Sequence, residues 1–134
     1  MTTETRLPVH NIHHVAIICS DYQRSKRFYT EILGFTVLAE VYRAERDSYK
    51  LDLAINDHSR IELFSFPNPP ARVSRPEAAG LRHIAFSVAD IRHTHHYLTE
   101  KGIVCEAVRI DEFTGKSFFF IADPDDLPIE FYEI

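Results

Sequence analysis

His14-Val15-Ala16-Ile17-Ile18-Cys19-Ser20-Asp21 and His83-Ile84-Ala85-Phe86-Ser87-Val88-Ala89-Asp90 are two versions of one phrase. In each, a histidine opens a run rich in branched or aromatic residues, and an aspartate follows it by seven positions. Outward from each aspartate comes a helix-like stretch that closes at a glycine, Gly34 or Gly102. Each half then reaches a second shared phrase, Ile61-Glu62-Leu63-Phe64 or Ile129-Glu130-Phe131-Tyr132. Glu62 follows His14 by 48 residues, and Glu130 follows His83 by 47. Landmarks repeated in order and at one spacing mean a supersecondary unit used twice.

The unit reads as βαβββ. Residues 12–19 are rich in Val and Ile, which predicts a strand. Asp21 is suited to cap a helix, because its carboxylate can accept an orphan backbone N–H. Phe28, Tyr29, Ile32 and Leu33 recur at helical spacing and form one apolar stripe. Gly34 ends the helix, where a left-handed residue is commonly required. Strands are expected at 35–43, 48–55 and 59–66. The second half predicts a strand at 82–88, a helix over 90–101, and strands near 103–109, 116–122 and 127–133. Asp123-Pro124-Asp125-Asp126 is a turn, since Pro fixes φ and Asp tolerates turn geometry. Four prolines between Pro67 and Pro76 cannot run inside a sheet. The division is therefore a first βαβββ module over 9–66, a semi-rigid Pro-rich linker over 67–80 and a second module over 81–134. Residues 1–10 are expected to form a tail. The class is α+β, with the two modules forming a cupped mixed β-sheet.

Strand side chains alternate between faces. His14, Ala16 and Ile18 share one face, and Glu62, Phe64 and Phe66 share another. His83, Ala85 and Ser87 line up likewise, as do Glu130 and Tyr132. Each His or Glu thus lies opposite mainly apolar neighbours that can pack on a helix. If the halves pair about a pseudo-twofold axis, His14, Glu62, His83 and Glu130 converge. Two imidazoles and two carboxylates suit one divalent ion such as Zn, Ni, Co, Mn or Fe(II). A buried carboxylate needs such a partner, because burying it unpaired is costly. His13 is expected to point away from His14. His93, His95 and His96 fall on the second helix, on its solvated face; His58 lies near a turn and His10 in the tail. Phe64, Phe66 and Phe118 or Phe120 are candidate cleft walls, and Arg72 and Arg75 could reach an anionic substrate from the linker.

The bulk numbers narrow the function. The 134 residues carry a net charge of −5, which argues against a nucleic-acid partner. A hydrophobic fraction of 45% with 26% charged residues excludes a mainly disordered chain. No apolar run approaches the ~20 residues of a membrane span, and no basic-then-apolar leader is seen, so the expected location is cytoplasmic. Cys19 and Cys105 sit in apolar runs with no adjacent basic residue and read as reduced, buried thiols.

The phrases quoted above, with Phe28-Tyr29, Leu33-Gly34-Phe35, Arg82-His83-Ile84-Ala85-Phe86 and Asp123-Pro124-Asp125, resemble the vicinal oxygen chelate superfamily and, within it, the glyoxalase I-like metalloproteins. Arg75-Pro76-Glu77 and Gly80-Leu81-Arg82-His83 are similar to a small uncharacterised bacterial branch of glyoxalase-like proteins. The resemblance covers about residues 9–133. It implies one divalent ion on His14, Glu62, His83 and Glu130, and a homodimer. It also implies a glyoxalase I-like isomerase or lyase working through a metal-stabilised enediolate. A fitting substrate has two vicinal oxygens, for example the thiol hemithioacetal of a 2-oxoaldehyde. Glu130 is assigned as leading base and Glu62 as ligand and second proton carrier. Asp126 departs from the resemblance, which expects glycine there. Glu62 counts against a thiol transferase of the fosfomycin-resistance type, and the short chain against an extradiol dioxygenase. A metal-dependent epimerase and a non-catalytic metal- or ligand-binding protein are the alternatives.

Overall fold

Asp21 and Asp90 act as the repeat requires. The Asp21 carboxylate accepts from the Arg24 N–H at 3.1 Å and the Asp90 carboxylate from the His93 N–H at 3.0 Å, so each strand turns directly into a helix. A computed structural model describes residues 5–134 of the chain. Of the expected tail, residues 1–4 lie outside the described residues, and 5–10 are exposed and have no regular structure.

The first half runs β1 (Val15–Cys19), α1 (Tyr22–Arg27), β2 (Thr36–Arg43), β3 (Ser48–Ala54) and β4 (Arg60–Ser65). The second runs β5 (Ile84–Val88), α2 (Ile91–Glu100), β6 (Arg109–Ile110), β7 (Ser117–Ala122) and β8 (Pro128–Glu133). Each half is a four-stranded mixed sheet, ordered β1-β4-β3-β2 and β5-β8-β7-β6. The first and last strands of each half pair in parallel, and the remaining pairs are antiparallel.

Two local departures have physical causes. The expected helix to Gly34 widens after α1 into a π-helical turn over Phe28–Ile32, where the Leu33 N–H bonds the Phe28 carbonyl at 3.0 Å. Phe28 and Tyr29, neighbours in sequence, are both buried there. The strand expected at 103–109 shrinks to Arg109–Ile110. Upstream, the Glu106 carboxylate takes the Phe120 N–H at 3.1 Å, so a side chain stands in for a ladder acceptor.

The core follows the alternation. Ile17, Leu51, Leu53, Ile61 and Leu63 in the first half, and Ile91, Leu98, Phe119, Ile129 and Phe131 in the second, are buried on the helix-bearing sides of their sheets. The halves join on that side. Phe35 meets Phe86 edge to face at 5.4 Å, Tyr97 Oη donates to the Ile32 carbonyl at 2.9 Å, and buried Tyr29 donates to Asp123 at 2.7 Å. Burial pushes the Asp123 carboxyl up, against the hydrogen bonds it accepts from Tyr29, Leu127 and Asp125. Ala16, Ile18, Ala85 and Ser87 face the other way and are exposed.

The 67–80 segment is stitched down. Arg72 donates to Ser74 Oγ at 2.9 Å and to the carbonyls of Leu81 and Arg82 at 2.7 and 2.8 Å. Ser74 Oγ in turn donates to the Asp126 carbonyl at 2.9 Å.

Candidate metal centre

The parallel pairing fixes where the two glutamates stand. Ala16 pairs with Glu62 in one sheet, and Ala85 with Glu130 in the other. A small side chain beside each carboxylate leaves that face open. The histidine two positions before each alanine reaches over the same spot. His14 Nδ1 lies 3.3 Å from Glu62 Oε2, and His83 Nε2 lies 3.3 Å from Glu130 Oε1. Arg82 Nη1 donates to His83 Nδ1 at 3.0 Å, leaving the other ring nitrogen for Glu130.

Within one chain the four residues form two pairs and do not gather at one point. Among the described residues, the one group of three or more His, Cys, Asp or Glu with ligand atoms within 4.8 Å of one another is His13, His14 and Glu62. This corrects the expectation for His13. Its Nδ1 lies 2.8 Å from His14 Nδ1. The strand begins only at Val15, so alternation does not separate the two imidazoles.

The surroundings of the pairs differ. Glu62 is only 8% exposed. Beside it, Lys50 Nζ lies 3.7 Å from Glu62 Oε1 and 2.8 Å from Asp52 Oδ1. Asp52 above all, with Glu62 behind it, raises the Lys50 pKa. The register places Lys50 opposite Phe64 and Asp52 opposite Glu62, so all four share one face. Glu130 has an aromatic frame instead. Phe120 lies opposite it in the ladder and meets His83 edge to face at 5.1 Å. Phe118 stacks on Tyr132 at 6.2 Å. The expected cleft walls thus stand beside the pairs, whereas Phe119 between them is core.

The remaining candidates sort by their bonds. Arg72 is spent on Ser74 Oγ and on the Leu81 and Arg82 carbonyls. Arg75 lines a cavity of about 340 Å³ with Arg82, Arg109, Phe120 and Pro128. His95 is not a solvated residue: it is half-buried, packs on Phe119 at 4.9 Å, and its Nε2 lies 3.0 Å from the Glu106 carbonyl. Both cysteines are free, and burial pushes the Cys19 thiol up to about 11, which leaves it inert as a nucleophile. Sequence reasoning missed Lys50 and Asp52. Their signal was their even spacing with Ser48 along β3, which puts them on the Glu62 face.

The sequence profile of the Glyoxalase/Bleomycin resistance protein/Dioxygenase superfamily matches residues 11–131, and the chain belongs to that superfamily. It is 59% identical over 123 residues to the uncharacterised protein YwkD of Bacillus subtilis, spanning 92% of this chain and 96% of that one. It is 56% identical over 127 residues to the uncharacterised YaeR of Escherichia coli, spanning 95% and 98%. Its structure resembles the crystal structure of a glyoxalase family protein from Enterococcus faecalis, with a TM-score of 0.87 and 50% identity. That likeness spans 92% of this chain and 97% of the other.

Proposed function

We propose that this protein holds one divalent cation between a His14–Glu62 pair and a His83–Glu130 pair, and uses it in an isomerase or lyase reaction of the glyoxalase I type. One observation carries the reading: the same His–Glu pair, at the same 3.3 Å, stands on the same register of parallel strands in both halves. The donor set fits a borderline ion such as Zn, Ni, Co, Mn or Fe(II). Glu62 supports the fit, because it is nearly buried and its cationic neighbour Lys50, at 3.7 Å, makes its shorter contact to Asp52.

One chain keeps its pairs apart, so the complete set is assembled in a homodimer, the first half of one protomer facing the second half of its partner. Two features favour this. β1 and β5 are both edge strands, with backbone groups open to pairing. Ile18, on the open face of β1, is 55% exposed.

When bound, the ion supplies Lewis-acid polarisation to two adjacent oxygens of a small substrate. The protein's own residues supply the rest. Glu130 removes the proton from the carbon bearing one oxygen and returns it to the neighbouring carbon. Its surroundings suit the role: among the described residues, no Lys or Arg forms an ion pair with it, whereas Lys50 already partners Glu62. Phe64, Phe118 and Phe120 present ring faces that exclude water from the transfer. The hemithioacetal of a 2-oxoaldehyde and a thiol has the adjacent oxygens and the mobile proton this needs, and its product is a thioester.

The test combines metal analysis with turnover. Wild-type protein should hold stoichiometric metal, and His14→Ala and Glu130→Gln should lose it. Full retention in both variants would overturn the metal reading. Methylglyoxal with a panel of thiols, across Ni, Co, Mn and Zn, should give thioester with at least one combination. Metal binding without turnover would redirect the assignment to a metal-dependent epimerase.

A further inference from the structure

Arg43 and Arg109 each stack on a pair of phenylalanines, one in each half, although Arg109 matches Val41 in register; only Arg109 has a carboxylate. Arg109, on β6, lays its guanidinium 4.8 Å from the Phe118 ring centre and 5.9 Å from that of Phe120. Its edge is closed: Nε and Nη2 both donate to Glu106 Oε1, at 3.1 and 2.9 Å. Arg43, at the end of β2, lies 5.0 Å from the Phe64 ring centre and 5.8 Å from that of Phe66. The two rings are stacked, 9° apart in plane, and Arg46 adds a second guanidinium 5.2 Å from Phe66. Among the described residues no carboxylate pairs with Arg43 or Arg46. Arg43 Nη2 donates to Ser48 Oγ at 2.8 Å, and its Nε is buried with no acceptor. That burial fixes the guanidinium in place, and among the described residues its Nη1 has no hydrogen-bond partner, which leaves it for an anion from outside the chain.

We infer that Arg43, with Arg46, binds a terminal carboxylate of the substrate on the Phe64–Phe66 platform. The Arg109–Glu106 pair shows, within the same molecule, a ring-stacked guanidinium whose edge takes a carboxylate. A guanidinium whose face is covered by a ring keeps its edge for a planar, bidentate anion, which favours a carboxylate. The register sets the length of the substrate. Arg43 pairs with Ser48, which shares the face of Lys50, Phe64 and Glu62. Phe64 lies two residues beyond Glu62, about 7 Å along the strand. A few carbon atoms must therefore separate the carboxylate from the oxygens held at the metal. The substrate class is an organic acid, or the adduct of one, bearing adjacent oxygens at the other end. This rests on the metal reading for that far end only.

Two arms separate the subsite from the metal centre. In the first, metal-free protein labelled with nitrogen-15 is titrated with glutarate and, separately, with its neutral analogue glutaramide, following arginine Nε–H resonances by NMR. Glutarate should move the Arg43 resonance and glutaramide should not; no movement with glutarate, or equal movement with both, overturns the inference. In the second, cobalt(II)-loaded protein is titrated with 2-oxoglutarate and with 2-oxopentanoate, following visible absorption. Wild type should bind 2-oxoglutarate at least tenfold more tightly. Arg43→Gln, and Arg46→Gln at its exposed position, should erode that preference while leaving 2-oxopentanoate unchanged. A preference retained in both variants overturns the inference. Failure of the protein to take up cobalt, with the glutarate response intact, overturns the metal reading and leaves the carboxylate subsite standing.

Discussion

Lys50 and Glu62 lie 3.7 Å apart, on neighbouring strands of one sheet face, and Lys50 makes its shorter contact, 2.8 Å, to Asp52. The ammonium therefore stands beside a carboxylate assigned to the metal, held back from it by a second acid. A positive charge at that range opposes a divalent ion by about 1 kcal/mol where water screens it. Lys50→Met should tighten divalent-ion binding by about fivefold in competition against a chelator. Weaker binding in the variant would show that Lys50 organises Glu62 instead of opposing the ion.

A site shared between protomers makes a distinctive demand on mixed variants. His14→Ala spoils the first-half pair of one chain, and Glu130→Gln the second-half pair of another. Each alone should bind no metal. Unfolded together and refolded, they should form mixed dimers in which one of the two sites is intact, with metal and turnover partly restored. If each chain builds its own site, mixing restores nothing.

Asp126 takes φ +67, in the left-handed region, at the turn where the family resemblance expects glycine. A non-glycine residue pays roughly 1 kcal/mol there. The bond from Ser74 is to the Asp126 backbone carbonyl and survives replacement. Asp126→Gly should therefore raise stability by up to about 1 kcal/mol in urea denaturation. A loss would mean that the Asp126 side chain contributes more than its backbone costs.

Glu40 ties β2 to the first helix. It accepts from Lys26 Nζ at 2.8 Å and from Tyr22 Oη. The Lys26 bond first, then that of Tyr22, holds its carboxyl below the ordinary value of 4.5. A carboxylate held low in the fold stabilises fully above its unfolded pKa, and that contribution is lost as pH falls through the folded value. Glu40→Gln should thus be less stable than wild type at about pH 6, with the gap narrowing as pH falls below 4.5. A gap constant across that window would assign the loss to packing.

What the sequence disclosed and what it concealed divide along physical lines. The repeat exposed both sheets, both aspartate caps and both His–Glu pairs, because each rests on spacing within one half. Alternation placed Phe64 and Phe66 on the Glu62 face, and Phe118 or Phe120 stood as candidate walls; that Phe119 is core came from the fold. Alternation could not place His13, which precedes the first strand and escapes its pattern. Nor could it find the π-helical turn at Phe28–Ile32, which depends on two adjacent aromatics entering one core. The Glu106 carboxylate interrupts a ladder that propensity alone would have continued. Lys50, Asp52 and Arg43 were hidden for another reason. Their meaning comes from neighbours across the sheet, and cross-strand register is a property of the folded chain.

The parallel closure of each half has one more consequence. Each His–Glu pair is made by the first and last strands of its own half, so neither pair depends on which half is translated first. A circular permutant opened within 67–80 and joined through the present ends would carry both pairs unchanged. What it would lose is the stitching of Arg72 and Ser74. Chain order in this protein serves the seam between the halves, while each His–Glu pair belongs to its own half alone.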